Sequence, residues 1–303
     1  MLRITRLFRI SAVCTALAVA AAVTGFAPAA RAQTPTNGLI MLIEFEQILG
    51  VRHWEQELDK RGLTALIQAQ LNVLQEYPKD FAKLADKGYL IAGTYSEKPF
   101  WDVPYDEQLA RMREVKEAVE KITHKPMRVF GSRYFAYDEN TLRAADALGI
   151  DYVLGRGTAG ALAIIYAPRE YKAKIISVSN VPFGEMGTGS FCDYSLWARG
   201  STAQDFAAMV DKVIASKPSD LIFVSHAYLG GTSAAWWSTD EKALARKEVA
   251  WRSFDAWVKS VKVNALPYAE IPVNREVKYE TPKPAVPLEK LELVPGLDLL
   301  KGN

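Results

Sequence analysis

Apolar and polar positions follow two different periods along the chain, and these periods predict strands followed by helices. Residues 38–46 (GLIMLIEFE) are apolar until their last positions, where Glu44 and Glu46 share one side by the two-residue period of a strand. A helix is predicted over residues 105–123, because apolar side chains recur there at spacings of three and four: Leu109, Met112, Val115, Val119 and Ile122. We interpret that stripe as core rather than as a functional surface.

The remaining patterned segments continue this alternation. Further strands are predicted over residues 89–95, 127–130, 151–154, 175–178 and 221–225, and further helices over residues 54–61, 69–87, 138–148, 203–216 and 239–261. Strands that alternate with helices are typical of a parallel sheet or barrel flanked by helices, so the predicted fold class is α/β. One domain is expected over residues 33–263, followed by a Pro-rich C-terminal extension over residues 264–303 that lies over the domain or is partly disordered.

The first 32 residues have the pattern of a signal peptide. Three arginines and no acid precede an apolar run that ends near Phe26, and Ala30-Arg31-Ala32 supplies a small-x-small cleavage site. This pattern predicts export, with the mature protein periplasmic or secreted. Nothing after the signal peptide is long and apolar enough to predict a membrane span.

Composition then narrows the classes of partner. Cleavage after residue 32 removes four arginines and no acid, which leaves 33 basic and 35 acidic residues and a formal net charge of −2. A near-neutral chain without a basic block lacks the charge pattern of nucleic-acid binding, so no nucleic-acid partner is expected. Cys192 is then the single cysteine, so an intramolecular disulfide is excluded and the core must supply the stability.

The sequence lacks the common motifs of cofactor and metal sites. There is no G-x-S-x-G, no glycine-rich phosphate loop and no dinucleotide fingerprint. His53, His124 and His226 are far apart and lack zinc-motif spacing, so neither a cofactor nor a metal is expected. A thiol pair of Cys192 with His226 stays open, although an unaccompanied cysteine is more typical of core.

Polar residues at strand ends are the candidates for chemistry. His226 ends the apolar run 221–225, and Glu44, Glu46 and Glu97 lie at or just after strand ends. Carboxylates and a histidine that converge in one cleft would suit acid/base catalysis on an ester, amide or glycosidic bond. Some tryptophans are candidates for stacking on sugar rings, or pack in the core instead: Trp101, Trp197, Trp236 and Trp237.

The order of segments over residues 38–230 resembles the polysaccharide deacetylase family, the NodB-homology carbohydrate esterases. MLIEFEQ is similar to the strand of that family that ends in Thr-Phe-Asp-Asp, and KGYLIAGTYSEKP to its Gly-His-Glu-Ile-Gly-Asn-His-Thr-Tyr-Ser-His segment. FGSRYFAY occupies the place of its Phe-Arg-x-Pro-Tyr-Gly motif, and LIFVSHAY resembles its late strand that ends in histidine. The resemblance implies a (β/α) barrel, usually incomplete at seven strands, and a carbohydrate or cell-envelope polysaccharide as substrate.

The chain departs from the family pattern at the metal ligands. Glu46 stands where the family has its catalytic-base Asp and Gln47 where it has a metal-binding Asp, while Gly93 and Glu97 replace its two metal-binding histidines. The late histidine is retained as His226, and the positive charge of the motif arginine has a substitute two positions later, in Arg133. The resemblance therefore implies Glu46, Glu97, Arg133 and His226 as catalytic residues. The expected substrate-binding residues are Glu44, Gln47, Tyr95, Trp101, Tyr134 and Tyr228.

Three functions are consistent with this altered site. The first is an exported carbohydrate-active hydrolase that works without the usual zinc, with Glu46 as base and His226 as acid. The second is a catalytically inactive barrel that binds a glycan or a partner protein. The third is a glycosidase that uses Glu46 and Glu97 as its carboxylate pair.

Overall fold

The computed structural model describes residues 34–95, 98–157, 163–272 and 282–300. The strands are β1 (Thr36–Glu44), β2 (Leu66–Gln70), β3 (Leu90–Thr94), β4 (Val129–Phe130), β5 (Tyr152–Arg156), β6 (Ile164–Pro168), β7 (Lys174–Val178), β8 (Asn180–Pro182), β9 (Thr188–Ser190), β10 (Asp220–His226), β11 (Val249–Arg252) and β12 (Val263–Leu266). The α-helices are α1 (Leu49–Asp59), α2 (Leu71–Glu76), α3 (Pro78–Asp86), α4 (Tyr105–Thr123), α5 (Glu139–Leu148), α6 (Asp193–Trp197), α7 (Ala203–Ala215), α8 (Ala234–Leu244) and α9 (Phe254–Ser260).

A curled parallel sheet forms the centre of the fold. Neighbouring strands pair in the order β10-β1-β2-β3-β4-β5-β7, all in parallel, and β6 and β12 extend the sheet beyond β7. β11 pairs with the first residues of β1. The predicted α/β barrel, left incomplete at seven parallel strands, is confirmed. Ile43 of β1 lies opposite His226 of β10, so both strands end at the same edge.

Alternate side chains of the strands enter two separate cores. In β1, Leu39, Met41 and Ile43 face the inside of the barrel, whereas Ile40 and Leu42 pack against the surrounding helices. Each such side chain is nearly fully buried and contributes about 2 kcal/mol of transfer free energy. The strands therefore read as continuous apolar runs, as expected of a parallel sheet that is covered on both faces.

Helix α9 fills the amino-terminal end of the barrel. Trp257 is fully buried among the inward-facing side chains, and its indole Nε1 donates a hydrogen bond to the carbonyl oxygen of Asn37 at 3.3 Å. Phe254 meets the ring of Tyr152 edge to face, at 5.6 Å between centroids. Because this end is packed with side chains, the carboxyl ends of the strands are where a ligand can enter.

The periodicity predicted some elements well and merged others. The helix predicted over 105–123 matches α4. The one predicted over 69–87 is helical over most of its length but is not one helix, because β2 extends to Gln70 and the helical part divides at Tyr77 into α2 and α3. Tyr77 adopts φ −121° and ψ 50° immediately before Pro78, where a proline disfavours helical backbone in the preceding residue. The single helix predicted over 239–261 is wrong, because those residues form the end of α8, then β11 and then α9.

The described part of the Pro-rich extension packs on the domain. The Val294 amide donates to the Thr232 carbonyl at 2.8 Å, and the Ala234 amide donates to the Glu292 carbonyl at 2.9 Å. Described residues from Pro35 onwards belong to one compact unit, and β12 carries the sheet past residue 263. The predicted signal peptide, residues 1–32, lies outside the described residues. Among those that are described, no helix combines the length and the hydropathy needed to cross a membrane.

Candidate active site

A cleft of about 410 Å³ opens at the carboxyl ends of the parallel strands. This edge is where α/β barrels place their sites, because the loops that follow the strands converge there. The polar and aromatic side chains that line it include Gln68, Arg133, Tyr134, Arg156, Tyr194, Arg199, His226 and Tyr228. The cleft therefore brings together four of the predicted functional residues, Arg133, Tyr134, His226 and Tyr228.

His226 is held in place by Asp193, which the sequence did not identify. The segment before α6 lies along the free edge of β10, where the Val224 amide donates to the Phe191 carbonyl at 3.2 Å. Cys192 then acts as the N-cap of α6, and Asp193 is fully buried in the first turn of that helix. The His226 ring Nδ1 lies 3.1 Å from Asp193 Oδ1, and the His226 backbone amide donates to the same carboxylate at 2.9 Å.

This contact keeps the imidazole charged at neutral pH. Burial by itself lowers the pKa of His226, but hydrogen bonds to Asp193 and Cys192 outweigh it and raise the pKa from 6.5 to about 9. The ring of Tyr194 lies 4.7 Å from the His226 ring and that of Tyr228 5.6 Å from it. Aromatic walls limit water around the ring, so the site holds a positioned, protonated acid.

A second buried carboxyl group lies behind Asp193. Ser225 Oγ is 2.9 Å from Asp193 Oδ2 and 3.0 Å from Asp240 Oδ2. A serine has one hydroxyl proton, so it donates to one carboxylate and must accept from the other. Burial and the charge of Asp193 raise the pKa of Asp240 well above its usual value, which identifies Asp240 as the protonated partner. The group Asp240, Ser225, Asp193 and His226 is therefore a chain of hydrogen bonds with a single negative charge on Asp193.

The first predicted carboxylate supports a loop instead of facing the cleft. Glu44 is fully buried, and its Oε1 accepts hydrogen bonds from the backbone amides of Glu46 and Gln47, both at 2.9 Å. Burial raises the pKa of Glu44 to about 8. Glu44 is not among the described residues that line the cleft, and its role in substrate binding stays a prediction. Glu46 is exposed one residue after Phe45, which lines the cleft.

The loop after β4 enters the cleft in a strained conformation. Tyr134 and Phe135 have φ values of 59° and 54°, in the left-handed region that side chains other than glycine rarely adopt. The neighbouring Arg133 guanidinium lies 5.3 Å from the centroid of the Phe45 ring and 5.6 Å from that of Tyr134. Consecutive strained residues beside a cleft are typical of functional sites, where surrounding structure holds the backbone in place.

Gln68 is a second residue that the periodicity missed. It lies in β2, is 1% exposed and lines the cleft, and its Nε2 donates to Thr94 Oγ1 at 2.5 Å and to the Gly131 carbonyl at 3.0 Å. Its Oε1 has no hydrogen-bond partner among the described residues. A buried acceptor without a partner costs about 1–3 kcal/mol, which a ligand N–H or O–H would offset.

Other predicted residues lie elsewhere. Tyr95 is half-buried with its ring 5.5 Å from the Arg111 guanidinium, so it packs on α4. Trp101 is half-buried, and Trp236 and Trp237 are buried in the core, so the last two do not stack on a sugar. Glu97 lies outside the described residues, and its pairing with Glu46 stays a prediction.

Comparison with known proteins shows a similarity to one family over part of the chain. The polysaccharide deacetylase family model matches residues 54–153, the part of the chain that runs from α1 into β5. Over these residues the chain is similar to polysaccharide deacetylases. No curated protein sequence matches it.

Solved structures with the same fold include polysaccharide deacetylases. A probable polysaccharide deacetylase from Pseudomonas aeruginosa has a TM-score of 0.58 at 12% identity, covering 75% of this chain and 91% of its own. A putative polysaccharide deacetylase from Mycobacterium smegmatis has a TM-score of 0.57 at 10% identity, and the match covers 84% of this chain and 97% of that one. A mutant of a CE4 family pseudoenzyme with restored enzymatic activity has a TM-score of 0.50 at 9% identity. The match covers 77% of this chain and 66% of that protein, so this chain spans just under two thirds of that protein's length. At such identities the likeness shows the fold alone.

The positions that correspond to the metal ligands of polysaccharide deacetylases do not fit a metal in the described part of this chain. Gln47 Oε1 accepts a hydrogen bond from the Leu49 amide at 2.7 Å, which holds it in the loop. A Cβ on Gly93 would lie 2.6 Å from a methyl group of Val115, on the helix-facing side of β3, so a side chain there would point away from the cleft. The third position, Glu97, is not described.

The described residues contain one other group of potential metal ligands. Ligand atoms of Cys192, Asp193 and His226 lie within 4.8 Å of one another, and all three residues are buried. The carboxylate of Asp193 already accepts hydrogen bonds from Ser225, from the Tyr194 amide and from His226. These contacts make the cluster a polar network that orients His226, and Cys192 caps α6 within it.

Proposed function

We propose that this protein is an exported hydrolase that cleaves an ester or amide bond on a carbohydrate or cell-envelope polysaccharide, in the cleft at the carboxyl ends of the strands. The observation that carries this proposal is the position of His226, which lines the cleft with its ring Nδ1 3.1 Å from Asp193 Oδ1, a contact that raises the pKa of the imidazole. Similarity to the polysaccharide deacetylase family over residues 54–153 supports the substrate class. A charged, oriented imidazole is suited to proton donation in acyl-group hydrolysis.

Each proton in the proposed reaction has a donor and an acceptor. The Glu46 carboxylate takes a proton from water, and the water oxygen forms a bond to the carbonyl carbon. Arg133 stabilises the negative charge that develops on the carbonyl oxygen. His226 Nδ1 is held by Asp193, so Nε2 donates its proton to the leaving oxygen or nitrogen as its bond to carbon breaks. The products are a carboxylic acid and a free hydroxyl or amine.

The reaction is proposed to proceed without the metal that the family uses. Gln47 is engaged in its own loop, and Gly93 offers no ligand and faces α4. Elemental analysis of the purified mature protein, combined with acetate release before and after chelation, tests this part. Activity that survives chelation in metal-free protein is expected, whereas stoichiometric zinc with chelator-sensitive activity would overturn it.

The proposed base is tested by Glu46→Gln, which keeps the size of the side chain and removes its basicity. Acetate release from acetylated xylan and acetylated chitooligosaccharides is expected to fall by at least about 100-fold, the usual contribution of general-base catalysis. Glu114→Gln, on the exposed face of α4, is the matched control and should behave as wild type. Unchanged turnover in Glu46→Gln would remove Glu46 from the mechanism.

A second candidate function is a barrel that binds a glycan without turning it over. Its support is the replacement of metal ligands at Gln47 and Gly93, together with the fold shared with a CE4 family pseudoenzyme. Saturable glycan binding without product release from any acetylated substrate would favour this function over hydrolysis.

Export is proposed from the signal-peptide pattern of residues 1–32. Expression of the full chain in a bacterium, followed by mass spectrometry of the periplasmic and extracellular fractions, tests it. A mature amino terminus at Gln33 is expected, and an intact chain retained in the cytoplasm would contradict the proposal.

A further inference from the structure

Gln68 lies in the same row of the sheet as His226. In the parallel pairing, Ile43 of β1 is opposite Gln68 of β2 on one side and opposite His226 of β10 on the other. Neighbouring strands lie about 4.8 Å apart, so the Cα atoms of Gln68 and His226 are separated by about 10 Å or less. Residues in register on parallel strands project to the same face, and both side chains line the cleft. A ligand that His226 contacts is therefore within reach of Gln68 as well.

The carboxamide of Gln68 is held in one orientation. Its Nε2 donates to Thr94 Oγ1 at 2.5 Å and to the carbonyl oxygens of Gly131 at 3.0 Å and Ser132 at 3.4 Å. Exchanging Nε2 and Oε1 would place an amide oxygen against two carbonyl oxygens, neither of which can donate a proton. The acceptor Oε1 is therefore the end of the carboxamide that has no partner among the described residues.

The two hydroxyl groups of the residues that hold this carboxamide have no proton left for a ligand. The Thr94 hydroxyl donates to the Gly131 carbonyl, and the Ser132 hydroxyl donates to the Ala136 carbonyl at 2.6 Å. Gly131 also leaves space for the carboxamide, because a Cβ at this position would lie 2.9 Å from Gln68 Nε2. These side chains therefore offer a ligand one acceptor and no donor, so they suit a ligand group that donates a single hydrogen bond.

We propose that Gln68 determines which substrates the cleft accepts, because its Oε1 receives one hydrogen bond from an N–H or O–H group next to the scissile bond. The short separation from His226 restricts this donor to the sugar unit that carries the scissile bond or to its acyl group. A ligand that places an apolar group or another acceptor there leaves the buried Oε1 without a partner, and this disfavours its binding. The inference rests on the proposed function in taking the cleft as the substrate site and His226 as the group at the scissile bond.

The test is a binding measurement on ligands that differ by one donor. The parent ligand is the methyl glycoside of N-acetyl-D-glucosamine. Its analogues are the O-acetyl counterpart, in which an ester oxygen replaces the amide N–H, and three deoxy derivatives, each of which lacks one hydroxyl group. Calorimetry on the mature Glu46→Gln protein gives Kd without consuming the ligand, and the melting temperature gives an independent readout, since a ligand that binds the folded state raises it. Acetate release by wild type is measured separately.

Loss of one particular donor is expected to weaken binding by about three- to tenfold, the effect of one net hydrogen bond, and the analogue affected shows whether that donor is the amide or a hydroxyl. Gln68→Met keeps the length of the side chain and removes the acceptor, so it should bind the parent and that analogue equally. Gly131→Ala displaces the carboxamide and should reduce the same preference. Gln56→Met, at an exposed position of α1, is the matched control and should keep it. A variant that only deforms the cleft would weaken every ligand alike and leave the ratio of their affinities unchanged.

Equal affinity for all five ligands would overturn the inference without any change at Gln68, as would a failure of the parent ligand to bind saturably. A preference that persists unchanged in folded Gln68→Met would assign the donor contact to another residue and would also overturn it. Acetate release from acetylated glycans together with equal affinities would refute the inference and leave the proposed function standing. A preference that depends on Gln68, without acetate release from any substrate, would support the inference and refute hydrolysis.

Discussion

The contact between Asp193 and His226 gives the sharpest prediction. Asp193→Asn preserves the shape of the side chain and removes its charge. His226 stays buried in the variant, so desolvation becomes the dominant influence and we expect its pKa to fall from about 9 to below 6.5. The imidazole would then be neutral at pH 7.5 and could no longer donate a proton.

The size of the effect on folding follows from the same shift. A pKa raised from 6.5 to about 9 corresponds to about 3 kcal/mol of preferential stabilisation of the charged ring. Because the folded pKa lies above the unfolded one, this stabilisation is fully present below pH 6.5 and is lost as the pH rises through about 9. Asp193→Asn should therefore lower the free energy of unfolding by about 3 kcal/mol at pH 6 and by much less above pH 9.

Two measurements check this prediction. The mature chain has three histidines, so ¹H–¹³C spectra of the imidazole Cε1 groups resolve each titration, and loss of one signal in His226→Gln assigns it. Urea denaturation at a series of pH values gives the free energy of unfolding. Asp86→Asn, an exposed carboxylate at the end of α3, is the control and should change neither curve. A wild-type His226 that titrates near 6.5, or an unshifted titration in Asp193→Asn, would refute the reasoning.

Three further predictions concern the buried groups and one close contact. Wild type should lose stability as the pH rises from 4.5 to about 8, because folded Glu44 holds its proton more tightly than the unfolded chain does, and in Glu44→Gln this loss should be smaller. Urea midpoints across that pH range test the prediction, and parallel curves for the two proteins would contradict it. Asp240→Asn should cost about 1 kcal/mol or less at pH 7, since the native carboxyl group is already neutral, and a loss as large as that of Asp193→Asn would show that Asp240 is ionised. Gly50→Ala should lower the free energy of unfolding by about 3 kcal/mol or more in the same assay, because the new Cβ would lie 1.8 Å from the Ala227 carbonyl oxygen. If the variant is as stable as wild type, α1 can move away from Ala227.

The sequence predicted the elements whose signals are local. Helix α4 has a proline before it, acids in its first turn and a regular apolar stripe, and its bounds agree with the structure. Short elements lack such signals: β6 is five residues long and α6 has a little more than one turn, and neither was predicted. His226 was found because it ends an apolar run, whereas Asp193 meets it across 33 positions of sequence that carry no common pattern.

Arg156 and Arg199, which line the cleft, were also not predicted as site residues. Arg156 ends a strand, a position that could have marked it, but the predicted strand stopped at residue 154. Arg199 follows the unpredicted α6, so nothing in its surroundings indicated that it faces Arg156. Gln68 lies inside β2, where it and Gln70 alternate with apolar residues, and this pattern does not indicate which face of the strand points into the cleft. Sequence patterns predict which residues are buried. Whether polar residues that are far apart in sequence come into contact depends on how the sheet curls into a barrel.

The pairing of β1 with β10 also bears on the time course of folding. The Thr36 hydroxyl bonds to the Pro218 carbonyl across 182 positions, and His226 reaches its place only when β10 docks beside β1. Contacts of such long range require a large loop to close first, which slows folding. During synthesis, one edge of β1 therefore stays unpaired until β10 has emerged, and an unpaired strand edge is exposed to pairing with other chains in that interval.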